Sequence, residues 1–259
     1  HYFLTGKKDY KDLPDYKKYS QKDDTIFFSP INIDKKAIPS RSAYQDKQQN
    51  YAFFLKDYGH PPLSDIFSSF FNLILFQKWM LINDIDSYHV YSLFLAAVLV
   101  GVVFWWTAKY YNKLAGFVAA LSLALYPLFL GESHFNIKDV PQAVFYSLTL
   151  ISFYEGFIRK KFWLIILSSI FLGFAFSTKF NAVFVPFIII PWSLIYLAAN
   201  KKIKQYLKFS LALVFYPIVA FLILYLTWPF LWSSPIERFL DVVGYYKDTG
   251  INTGFDMRY

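Results

Sequence analysis

Up to residue 65 the chain is polar, and beyond it apolar runs follow one another with only short polar connections. The runs cover 66–82, 90–108, 114–130, 141–157, 162–177, 182–199 and 206–228. A bilayer core of about 30 Å takes about 20 apolar residues to cross as a helix. In lipid each backbone amide must be satisfied within its own segment, so the runs predict helices. The expected fold is an all-α polytopic membrane protein, with an outer loop carrying juxtamembrane helices.

The segment 1–65 holds eleven Lys/Arg and nine Asp/Glu and has prolines at 14, 30, 39, 61 and 62, which fits an extracytoplasmic loop. It also contains apolar stretches such as "TIFFSPINI", enough to fold against something. The run 66–82, "IFSSFFNLILFQKWMLI", is short for a span and includes Asn72, Gln77, Lys78 and Trp79. Lys and Trp favour membrane interfaces, so this run is expected to lie in the outer interface as an amphipathic helix. Six spanning helices are then expected over 90–228, followed by a further outer loop over 229–259.

The loops set the orientation. Lys and Arg in short connections favour the cytoplasmic side, and "KYYNK" (109–113), "RKK" (159–161) and "NKKIK" (200–204) are the basic ones. They alternate with "NDIDSYH" (83–89), "GESHFNIKD" (131–139) and "STKFN" (177–181), which fall outside together with segment 1–89. The expected location is therefore a cell membrane. Composition adds little to this picture: 56% of residues are hydrophobic, 22% aromatic and 17% charged. The net charge of +8 sits in the loops, which speaks against nucleic acid as a partner. Cysteine is absent, which excludes disulfides and thiolate metal sites. The first residue is His1 and no signal peptide precedes the polar segment, so a fragment or a processed chain is expected, cut at the C-terminus as well.

Candidate chemistry gathers in the outer connections. Between Val90 and Trp228 the only acids are Glu132, Asp139 and Glu155, and two of these flank "SHFNIK". Charges at a membrane boundary are costly unless paired, hydrated or functional. Asp139 lies where a helix starts, two residues before Pro141, which is an ordinary capping arrangement. His134, Asn136 and Lys138 bring an imidazole, an amide and a cation to the same stretch, a set suited to a phosphate headgroup. Lys179 follows an apolar helix on the same side, either as a snorkelling lysine or as a second phosphate ligand. In "DYGHPPLSD" (57–65) the two prolines fix an extended Gly59 and His60 and start a helix near Pro62. Gly-rich nucleotide loops, H-E-x-x-H and G-x-S-x-G are absent from the sequence.

Three of these stretches carry a family resemblance. "DYGHPPLSDIF" resembles the His-Pro-Pro-Leu segment closing the first outer loop of the glycosyltransferase C superfamily, in its protein O-mannosyltransferase and aminoarabinose transferase branch. "SHFNIKDVPQAVFYSL" is similar to the later loop Ser-Arg-Tyr-x-x-x-Asp-x-Pro, aligning Ser133, His134, Phe135, Asp139 and Pro141. "STKFNAVFVP" resembles a Lys-aromatic segment at the outer end of a later helix. The resemblance spans roughly residues 50–235 and implies sugar transfer from a polyprenyl-phosphate donor to a protein, lipid or glycan acceptor at the outer face, with inversion. An acidic residue of the first outer loop would act as base, and cations and hydrogen-bond donors would steady the departing phosphate. Lys138, Lys179 and His134 are the expected phosphate ligands, with His60, Asn136 and Asp139 as further donor-site candidates.

Two departures stand out. His134 replaces the usual arginine, and the family's Asp-Glu pair is not visible, its place being expected upstream of His1. No cofactor is evident; a divalent metal is left open by the resemblance, without a ligand set. A second reading is a transporter or flippase for a lipid-linked or anionic substrate, with the outer lysines as a vestibule. Transporters usually place broken helices and ionisable groups near the midplane. Here the polar groups sit at helix ends, although Pro186, Pro191 and Pro217 interrupt helices.

Overall fold

The computed structural model describes residues 60–200, 210–232 and 234–252. The expected outer segment up to residue 59 and the basic loop beyond Asn200 lie outside these residues. Among the described residues the structure is helical throughout, without a strand. It divides into two compact units, Ser64–Ile151 in one and His60–Leu63 with residues from Ser152 onward in the other.

In the first unit α1 (Leu63–Asn72) begins directly after the two prolines and continues as a wider π-helical stretch, Leu73–Lys78. Met80, in the left-handed region at φ 51°, ends it, and the Leu81 amide donates back to the Leu75 carbonyl over 2.8 Å. The polarity of α1 differs from that of an ordinary surface helix. Ser64, Ser68 and Asn72 are fully buried, while Phe67 and Phe70 are exposed. This helix instead turns its hydroxyl and amide groups into the protein and its phenyl rings outward, which suits a lipid-facing position.

Asn83 caps α2 (Asp84–Tyr110): its side-chain oxygen accepts from the Asp86 amide at 2.7 Å, and Asp84 and Asp86 meet the positive end of the helix dipole. "NDIDSYH", expected as a loop, is thus a helix start. Asn112 caps α3 (Lys113–Ala124) in the same way through the Ala115 amide. Helices α2 and α3 approach closely at Gly116, where a Cβ would stand 2.7 Å from the Phe104 carbonyl oxygen. The expected single run 114–130 is broken. Tyr126 is extended because Pro127 follows it, and α4 (Pro127–Phe135) leaves at 57° to α3.

The long α5 (Asp139–Arg159) carries the boundary between the units after Ile151. Lys160, left-handed at φ 53°, ends it; the Lys161 amide donates to the Gly156 carbonyl and the Lys160 amide to that of Phe157, a Schellman closure. In the second unit α6 (Phe162–Thr178) packs along α8 (Ser210–Thr227). Small residues at every fourth position of α6 make the seam. Ser169 donates to the Tyr216 carbonyl, Gly173 meets Ala220 and Ile223, and Ser177 accepts from Thr227 at 2.7 Å. A 3₁₀ turn (Phe180–Phe184) leads into α7 (Val185–Ala199), which contains Pro191. The expected outer loop after Trp228 contains a 3₁₀ turn (Pro229–Trp232) and α9 (Pro235–Asn252). Val242 of α9 is buried with Leu224, Trp228 and Leu231, and Tyr246 stacks on Phe180 at 4.9 Å.

By length and composition α2 and the continuous helical segment Phe180–Ala199 can cross a membrane, and the bent pair α3–α4 makes a third if it counts as one span. The helix α6 and the part of α8 from Leu213 are apolar but shorter. Exposed side chains such as Phe94, Trp105, Phe117, Phe187, Ile195 and Ile218 cover these helices with apolar surface that water would not tolerate. Among the described residues the protein is all-helical, with apolar helices that suit a membrane.

Candidate functional site

The polar side of α1 faces the start of α2. Asn72 Nδ2 donates to Asp84 Oδ1 at 2.7 Å, to Ser87 Oγ at 2.6 Å and to the Asp84 carbonyl at 3.1 Å. Gln77 Nε2 donates to Asn72 Oδ1 at 2.7 Å, which fixes the amide's orientation. Asp84 is only 1% exposed, so a carboxyl group is held inside the protein by this network. Toward the start of α1, Ser64 and Ser68 bury their hydroxyl oxygens, as does Tyr91 of α2. Sequence reading missed this seam. Its signal was the spacing Ser64, Ser68, Asn72, which falls on one face of a helix rich in Phe, Ile and Leu.

The second feature is the corner between α4 and α5. "GESHF" was expected as a loop, but Glu132 to Phe135 complete α4, and only Asn136–Lys138 connect the helices. Asn136 Oδ1 accepts the backbone amides of Lys138 at 2.9 Å and Asp139 at 2.8 Å, and its Nδ2 donates to Asp139 Oδ2 at 2.7 Å. Both ends of the Asn136 amide therefore serve the start of α5, and the Asn136 carbonyl accepts from Ser92 at 3.1 Å. Lys138 sits on this capped backbone, and its carbonyl accepts the Gln142 amide.

The Lys138 ammonium lies 3.3 Å from the carboxylate of Asp65, with the lysine side chain 29% and the aspartate side chain 46% exposed. Asp65 is the last residue of "DYGHPPLSD" and stands in the first turn of α1. Two motifs far apart in sequence thus meet through one ion pair. His134, exposed on the last turn of α4, uses Nδ1 on the Leu130 carbonyl at 2.7 Å. A carbonyl only accepts, so Nδ1 is the donor in this bond. Glu155, the third acid between Val90 and Trp228, is paired with Arg159 at 2.8 Å within α5 and belongs to no such corner.

The remaining candidates stand in the second unit. Lys179 is half-buried at the C-cap of α6, its amide donating to the Ala175 carbonyl. His60 is exposed and meets the Tyr245 ring of α9 edge-on at 6.0 Å. The structure thus brings Asn136, Lys138 and Asp139 together with Asp65, and places His134 at the end of the helix leading into that corner. Among the described residues no three acids or histidines converge as a metal site.

Comparison with known proteins matches residues 59–232 to the pattern of the family described as dolichyl-phosphate-mannose-protein mannosyltransferase. No curated protein and no solved structure matches the chain.

Proposed function

Because the chain belongs to the dolichyl-phosphate-mannose-protein mannosyltransferase family, we propose that it is a membrane glycosyltransferase that moves a sugar from a polyprenyl-phosphate donor to a hydroxyl of a protein, lipid or glycan. The acceptor oxygen attacks the anomeric carbon from the face opposite the phosphate, and the bond to the phosphate oxygen breaks with its electron pair. The configuration inverts. An acidic residue of the first outer loop takes the acceptor proton. The transfer takes place at the outer face of a cell membrane, a side supported by the alternation of basic and non-basic connections.

As the bond breaks, the lipid phosphate changes from a monoanionic diester to a more highly charged monoester. A cation already in position stabilises that change without reorganising. The observation that carries the assignment is Lys138, an ammonium on a backbone fixed by Asn136 at the start of α5, with His134 on the preceding helix. A charge-assisted hydrogen bond to phosphate is worth about 1.5–3 kcal/mol, so Lys138→Ala should raise the KM for a polyprenyl-phosphate hexose by roughly tenfold or more. The KM for acceptor should stay within about twofold. Lys179→Ala tests the second lysine in the same assay. Unchanged donor kinetics in Lys138→Ala would remove it from the phosphate site.

A further inference from the structure

Asp65 occupies the Lys138 ammonium proposed to meet the donor phosphate, and no sequence motif gives it a role. Its carboxylate oxygen is 3.3 Å from Lys138 Nζ, on a side chain left 46% exposed. A pair this open to solvent contributes little to stability. Its geometry has a larger effect on an incoming anion, which must meet the lysine beside an existing negative charge.

We infer that Asp65 discriminates between the donor and the product of transfer at Lys138, weakening the hold on the released lipid phosphate more than on the intact sugar donor. The inference rests on the phosphate reading of Lys138. The donor is a phosphodiester with one negative charge, and the product is a phosphomonoester with close to two near neutral pH. Repulsion from a fixed carboxylate scales with that charge. If Asp65 weakens a monoanion roughly threefold at water-like screening, the same geometry weakens a dianion by the square of that factor, roughly tenfold. Asp65 then recaptures Lys138 as the product leaves, which keeps the site from being blocked by its own leaving group.

The backbone positions that carry the two charges are fixed. Asn136 fixes the Lys138 amide, the Gln142 amide bonds its carbonyl, and Asp65 is carried by the first turn of α1, whose Ser64, Ser68 and Asn72 are buried. The two charges are therefore held near each other by helix starts rather than by flexible loops.

The experiment measures binding to the full-length protein in nanodiscs. The probes are farnesyl phosphate, a monoester, and its methyl diester, which share one tail and differ in charge. Asp65→Asn should tighten both, the monoester roughly tenfold and the diester roughly threefold, and product inhibition by the monoester should deepen accordingly. Asp65→Ser serves as a second variant should the asparagine fold poorly. Lys138→Ala should weaken both probes, and in the double variant the gain from Asp65→Asn should persist and stay larger for the monoester, because the repulsion acts on the anion itself. If Asp65→Asn leaves affinity unchanged, weakens it, or tightens both probes equally while Lys138→Ala still weakens them, the discrimination is wrong and the phosphate reading stands. If Lys138→Ala changes neither probe, the phosphate reading fails and this inference fails with it.

Discussion

Asn72 shows how much one amide can decide. Its Nδ2 reaches Asp84 and Ser87, and its Oδ1 is held by Gln77, so a nearly inaccessible carboxyl group stays within a hydrogen-bond network. Replacing Asn72 by leucine removes a donor from Asp84 and should cost about 2–3 kcal/mol, measured by denaturation in detergent micelles. The double replacement Asn72→Leu with Asp84→Leu should recover part of that loss, because no buried carboxyl remains to be satisfied. Asn136 is the complementary case. Its side chain caps α5, so Asn136→Ala should lower stability by about 1 kcal/mol and shift donor affinity less than Lys138→Ala does. Full stability with lost phosphate binding would make Asn136 a ligand instead. In the sequence Asn72 and Asn136 are both polar residues near a membrane boundary. Which neighbours consume their hydrogen bonds depends on helices brought together from elsewhere in the chain.

At the scale of elements, the glycines mark where helices touch. A Cβ on Gly173 would stand 2.5 Å from Ile223 Cβ and 2.9 Å from the Ala220 carbonyl oxygen, whereas one on Gly101 meets nothing within 4 Å. Gly173→Ala should therefore destabilise the α6–α8 seam by about 1–3 kcal/mol. Gly101→Ala should be neutral or gain up to about 1 kcal/mol from helix propensity. Thermal unfolding of the two variants side by side separates packing from propensity, and equal shifts would contradict the seam. Lys160 holds the left-handed C′ position that glycine usually fills, so Lys160→Gly should raise the melting temperature slightly. The apolar runs made the helices legible: the starts after Pro62, near Asn112 and near Asp139 fall close to where the pattern placed them. The break at Tyr126–Pro127 was not legible as a 57° bend, because a proline can begin a helix as readily as interrupt one.

For the whole molecule the test is orientation. Residues 1–259 hold no cysteine, so single cysteines placed among them report accessibility at defined positions. Asp86→Cys and Gly131→Cys should react with a membrane-impermeant maleimide from outside intact cells, and Lys113→Cys and Lys161→Cys only after permeabilisation. The opposite pattern would invert the membrane assignment and with it the side on which transfer occurs. Trp105, Tyr110 and Lys109 already form a cluster suited to an interface, with the ammonium 4.9 Å and 4.8 Å from the Trp105 and Tyr110 ring centroids. That cluster adjoins "KYYNK", the first basic connection, so side-chain packing and loop charge mark the same helix end as a membrane boundary.

The sequence alone determined the helical class, the membrane setting and the family, because apolar run length and motif order are properties of the chain read in one dimension. Tertiary structure decided what each polar residue does. "GHPPLSD" and "NIKD" are separated by most of the first unit, and only folding places Asp65 against Lys138. An ion pair or a buried carboxyl depends on which helix faces lie opposite each other. Periodicity gives the faces of one helix, but only packing gives the partner.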